Sequence, residues 1–173
     1  SARFATADAC GHCHQFQFPG ARGDAASSYM QTTLFEHAAS PASHRSCADC
    51  HMPVNANGKR SHTFLSSRDP ALLRRSLRIE AERAEPTVVR VVLTQNDPGH
   101  AFPTGDLFRR LEVSAEISGP DQMSLGSATR YLTRHWGFRP TKFGRELLSD
   151  DRVMFQPREV LLTLPPLAAE HPV

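Results

Sequence analysis

Two spacings of apolar residues divide the chain. In the first part they come in short helical clusters: "SSYMQTTLFEHAAS" (residues 27–40) would put Met30, Leu34 and His37 on one helical face, with loops around it. "SSRDPALLRRSLRIEAERA" opens on Asp69 and Pro70, an N-cap followed by a first-turn proline, and predicts a helix over about 70–76. Beyond it the period falls to two. "TVVRVVLTQN", "LEVSAEIS", "ATRYLTRHWGF" and "REVLLTLP" are β-branched or alternating runs set off by Gly, Pro, Asn and Asp, and predict four strands. The expected fold class is α+β. A loop-rich module with few helices should span residues 1–80, and a mostly antiparallel, β-sandwich-like domain should span 81–173, ending in an extended tail, "LPPLAAEHPV".

Composition narrows the possibilities. At 173 residues the chain suits one ordinary domain, or a compact module joined to a small second one. No apolar run approaches the roughly 18 residues a spanning helix requires, so no membrane span is expected. The 20 basic and 18 acidic residues are interspersed, and only "LLRRSLR" clusters positive charge, which argues against a nucleic-acid partner. No leader-like segment opens the sequence, so Ser1 reads as a processed start or as an artificial boundary. Nine histidines is a high count for this length and suggests that some serve as ligands.

The four cysteines decide which ligands. Cys10, Cys13, Cys47 and Cys50 all fall in one repeated word, Cys-x-x-Cys-His, at "ACGHCH" and "SCADCH". A four-cysteine zinc site would give no reason for a histidine after both pairs. A thioredoxin-like dithiol would want a strand before it and a helix after it, and neither flank reads that way. Covalent c-type haem accounts for every letter: the two thiols of each word become thioethers to the haem, and His14 or His51 becomes the proximal iron ligand. Two haems c are therefore expected, with no disulfide left over. Because this attachment takes place outside the cytoplasm, the expected setting is extracytoplasmic, periplasmic or extracellular.

The order "MQTTLFEHAASPASHRSCADCHMP", "SHTF", "VVRVVLTQNDPGHAFPTGDLFRRLEVSAEI" and "DDRVMFQPREVLLTLP" resembles the C-terminal part of bacterial multihaem cytochromes c of the cytochrome c554-like group, over roughly residues 28–165. The resemblance implies a haem module followed by a β-domain with a "GHxFPTG" loop. Relatives commonly carry four or more haems, whereas this chain has words for two.

The sixth iron position is less explicit. His12 lies between attachment cysteines and Met52 directly follows a proximal ligand, so neither can reach around its own ring. His62, eleven residues past His51, matches the "CHMP…HxF" pattern used for axial ligation in the resembled family and is expected as one distal ligand. His100 is expected as the other, because Pro98, Gly99, Pro103 and Gly105 give its loop a defined shape. His44, three residues before Cys47, is the reserve. Met30 is read as packing rather than ligating, which leaves two bis-histidine haems of low potential. Such irons have no open position, so the expected function is dihaem electron transfer to redox partner proteins. The alternative is an enzyme with one open iron acting on a small nitrogen compound or peroxide. A further expectation is self-association, even a filament with a continuous haem row, through strand edges and the C-terminal tail with its His171.

Overall fold

The computed structural model describes residues 6–23, 25–66, 68–139 and 144–166. The fold is α+β and mostly β: the described residues form four short α-helices and nine strands, paired antiparallel in several small sheets. The larger part begins at Leu77. Strands β3 (Leu77–Glu85), β4 (Val88–Gln95) and β9 (Arg158–Thr163) make a three-stranded sheet with β4 in the centre. Strands β5 (Leu111–Ser118) and β6 (Ser124–Leu132) form a hairpin, as do β7 (Arg134–Arg139) and β8 (Gly144–Asp150).

Alternation explains how these pieces pack. Val91 and Leu93 on β4, Val160 and Leu162 on β9, Val113 on β5 and Leu132 on β6 point to one shared interior, joined by Leu77 and Val153. The three-stranded sheet therefore packs its inner face on the β5–β6 hairpin. Leu93 and Leu162 are 1% exposed and Val153 is 0% exposed.

The sequence pattern finds β4, β5 and β9 within a residue or two, but the stretch from Leu77 onward holds seven strands, not four. Strand β3 carries "LRIEAERAE", in which Leu77, Ile79 and Ala81 alternate with Arg78, Glu80 and Glu82, a strand period missed because the run continues directly from α4, and every residue after Leu77 is exposed. It is an edge strand, and its exposed Arg78, Glu80, Glu82 and Arg83 blunt that edge against pairing with another chain. The run "ATRYLTRHWGF" is two strands rather than one, broken at Thr133, which donates its backbone N–H to the Asp151 carboxylate at 2.7 Å.

The helix at the junction forms as the sequence predicts. In α4 (Pro70–Ser76) the Asp69 carboxylate accepts the Leu72 N–H at 2.7 Å, and Pro70 fills the first turn. The helix expected over 27–40 needs correction. Tyr29–Thr32 is a strand, β2, pairing with β1 (Gln15–Gln17), and only Thr33–Ala38 is helical, as α2. Strand pairing overrides the helical period here, and Met30 shares no helical face with Leu34 and His37. No helix among the described residues is long and apolar enough to cross a membrane. His171 and the tail from residue 167 lie outside the described residues.

Candidate metal centre

Both Cys-x-x-Cys-His words lie on short helices and end them. Helix α1 (Asp8–His14) carries Cys10, Cys13 and His14, and α3 (Cys47–His51) carries Cys47, Cys50 and His51. One helical turn separates the paired cysteines of each word, which keeps both thiols on one side. The Asp49 carboxylate accepts the Ser46 N–H at 2.8 Å at the start of α3. At its end Arg60 reaches back from the following loop, donating to the Ala48 and Met52 carbonyls at 2.8 and 3.2 Å and pairing with Asp49 at 2.5 Å. A cation over the last carbonyls suits the negative end of the helix.

The two words meet. The Cys10 thiol is a hydrogen-bonding neighbour of Cys47, and burial followed by the proximity of Cys10 pushes the Cys47 thiol up to about 11. All four cysteines are unpaired. A dithiol redox centre needs a thiol that ionises easily, and the Cys47 environment does the opposite. Among the described residues no group of three or more His, Cys, Asp or Glu side chains is arranged to hold a metal ion, the grouping a zinc site would need. Haem iron asks for only two protein side chains.

The histidines divide sharply. The rings of His51 and His100 lie nearly parallel, 11° apart in plane, with centroids separated by 6.0 Å. His51 donates its Nδ1–H to the Leu65 carbonyl, and His100 donates its Nδ1–H to the Ala101 carbonyl at 2.9 Å. Each ring thereby keeps its Nε2 lone pair free for a Lewis acid, the arrangement by which backbone carbonyls orient metal-ligating histidines. Burial holds His100 below its ordinary pKa, favouring the neutral, ligand-competent ring. His14 is exposed, and the Gln31 amide sits against its Nδ1 at 3.0 Å. His62 is exposed in its loop with its ring beside Phe64, and His44 is exposed in the turn before α3. The structure thus brings His100 to His51 and gives His62 and His44 no such ring partner among the described residues.

What delivers His100 is a buried polar network that reading the sequence missed. Glu36 on α2, 6% exposed, accepts from Thr32 at 2.7 Å, from Thr104 at 2.6 Å and from the Ala101 N–H at 3.3 Å, and pairs with Arg152 at 2.8 Å. Burial alone would raise the Glu36 pKa, but the Arg152 charge and the Thr104 and Thr32 hydroxyls outweigh it and hold the carboxyl below its ordinary range. Arg152, 4% exposed, also binds Asp150 through two nitrogens at 2.9 and 2.8 Å and donates to the Pro103 carbonyl at 3.2 Å. The His100 loop is further bridged to Val153 through Phe102 at 2.8 and 3.0 Å and tied to the start of α3 by Arg45 on Asp97 at 2.5 Å. Arg134, 5% exposed, donates to the Tyr29 carbonyl at 3.2 Å and to the Met30 carbonyl, fixing β2 to the β region. The partners in this network lie far apart along the chain, so no local pattern announces them.

The architecture is a mostly β, α+β fold whose His100 loop lies against the second of the two Cys-x-x-Cys-His helices. No family model matches the chain, and neither a curated protein nor a solved structure matches it.

Proposed function

We propose that the protein is a dihaem c-type cytochrome that carries electrons outside the cytoplasm. The observation that carries this reading is the His51–His100 pair, with parallel rings 6.0 Å apart and each Nδ1 committed to a backbone carbonyl. Two imidazoles on opposite sides of one metal, each nitrogen about 2.0 Å from it, have centroids about 6 Å apart. By that separation, with each Nδ1 already committed, His51 and His100 are the residues that would hold an iron.

The repeated attachment words and their resemblance to the C-terminal part of bacterial multihaem cytochromes c support the same reading. Cys10 and Cys13 would hold one haem and Cys47 and Cys50 the second, with His14 and His51 as proximal ligands. Phe16, just past the first word, and Phe64, beside the carbonyl that holds His51, are 38% and 54% exposed, apolar surface that a macrocycle would cover. When bound, haem supplies an iron that takes up and releases one electron. The chain holds the ring ligands neutral and aimed, and keeps the Glu36 and Asp150 charges paired with Arg152.

With two protein ligands the iron has no place for substrate, so electron transfer is favoured over an enzyme with an open haem. The test is the intact mass of the exported protein together with its ferric spectrum. Two haem increments and low-spin iron are expected. A mass without them overturns the haem reading, and a five-coordinate iron that binds cyanide or carbon monoxide at once turns the function toward catalysis.

A further inference from the structure

We infer that His37, and not the loop histidine His62, is the second distal ligand, serving the iron whose proximal ligand is His14. This rests on the haem reading above, which leaves one sixth position without a buried donor. His37 is 9% exposed as a residue, and its ring nitrogens, which are not among the fully enclosed polar atoms, have no hydrogen-bond partner among the described residues. A mostly buried imidazole whose nitrogens stay open on one side is placed to bind a group that enters from that side.

Its position on α2 shows where that group belongs. Successive residues of a helix are turned by about 100°, so His37 falls on the arc between Leu34 and Glu36. Leu34 faces the first attachment helix: a side-chain carbon on Gly11, in the middle of "CGHCH", would lie 2.8 Å from the Leu34 Cδ2. Glu36 faces the His100 loop through Ala101 and Thr104. His37 therefore lies on the side of α2 between the first word and the His100 loop, near enough to His100 to be among its electrostatic neighbours. The entry to α2 is registered on the end of α1 as well. Gln15 pairs with Thr32 across β1 and β2, the Gln15 side chain accepts the Phe35 N–H at 2.8 Å, and Gln31 touches His14 at 3.0 Å. His14 and the first turn of the helix that carries His37 are thus held by the same few residues, while the exposed His62 ring lies beside Phe64.

The experiment compares ferric spin state and cyanide binding in holoprotein carrying His37→Ala, His62→Ala, His100→Ala and the double change His37→Ala/His100→Ala. Expected results are one high-spin haem of two in His37→Ala, none in His62→Ala, and two in the double variant, since His37 and His100 serve different irons. Two low-spin haems in His37→Ala, or one surviving in the double variant, would overturn the assignment while leaving the dihaem reading intact. Protein whose mass lacks two haems would instead remove the reading on which it rests. If His37→Ala fails to fold, His37→Met supplies the answer: a thioether in place of the imidazole keeps the iron low-spin and raises the reduction potential of one haem, and unchanged potentials in both would count against His37.

Discussion

Between Leu77 and Leu164 the buried side chains are almost all aliphatic, with Arg134 and Arg152 as the charged exceptions. Before residue 67 the buried set is Tyr29, Ala42, Ala48 and Met52 beside Gln31, Thr32, Glu36, His37 and Ser40. The helices and strands of that earlier region are three to seven residues long, each too short to persist without tertiary support. One region is held by apolar burial and the other by directed polar contacts around two pairs of cysteines. The contrast teaches that the region before residue 67 lacks enough apolar side chain to fill its own interior, which is the condition under which a large apolar prosthetic group becomes the core.

The strongest way to break this comparison is to prevent attachment. With Cys10, Cys13, Cys47 and Cys50 all changed to Ser, amide hydrogen exchange should lose protection throughout α1, α2 and α3 while β4 and β9 stay protected. Equal protection in both regions would show that the first one folds on its own side chains.

The converse removes apolar packing from the β region. Leu162, 1% exposed at the centre of the aliphatic cluster, should cost about 2–5 kcal/mol when changed to Ala, read from denaturant melts. The loss should appear with haem attached and in the tetra-Ser chain alike. A loss confined to the haem-bearing form would mean that the sheet depends on the cofactor region.

The same contrast explains what could be read in the sequence. Strands β4, β5 and β9 were legible because one face of each is aliphatic and the other is not, and α4 because Asp69 and Pro70 mark its start. Strand β3 has the period too, Leu77, Ile79 and Ala81 alternating with Arg78, Glu80 and Glu82, but it follows α4 with no turn residue between them and so was not separated from the helix. Strands β1 and β2 were hidden because three or four residues cannot show a period, and the pairing of Gln15 with Thr32 is a long-range fact. In the candidate site, spacing alone exposed the repeated Cys-x-x-Cys-His words, and the turn residues of "NDPGHAFPTG" marked a shaped loop around His100. Burial decides among the remaining histidines, and burial at His37, Glu36 and Arg152 arises from contacts between distant segments.

Glu36 joins the two regions, so its removal should be felt in both. Glu36→Gln keeps the shape but leaves Arg152 with Asp150 alone, and should cost about 3 kcal/mol at neutral pH. Acid should approach the same end point. Glu36 and Asp150 are both held below their ordinary values of 4.5 and 3.8, against the pull of burial, chiefly by Arg152. A carboxyl depressed in the folded state binds fewer protons there than when unfolded, so its contribution is fully present above those ordinary values and is lost as pH falls through the depressed ones. Stability measured from pH 7 downward should therefore fall below about pH 4.5, and the fall should be shallower in Glu36→Gln. An unchanged acid limb would show that Glu36 carries no such linkage.

The smallest expected effect decides how tightly the two regions are joined. Helix α4 is the chain connection between them, and its first turn depends on one carboxylate, Asp69, accepting the Leu72 N–H at 2.7 Å. Asp69→Ala should cost about 1 kcal/mol, and Asp69→Asn, which can still accept that bond, much less. Thermal melts followed both by haem absorbance and by far-ultraviolet circular dichroism locate the loss. Because the Glu36–Arg152 pair and the Arg134 contacts to the Tyr29 and Met30 carbonyls bind the regions together, both probes should shift by the same amount. In a Glu36→Gln background that bond is weaker, and the Asp69→Ala shift should separate, larger in the probe whose region relies on the helix. Two probes that already part in the parent protein would place the cooperative boundary at α4 itself, and the buried ion pair would then orient the His100 loop without uniting the fold.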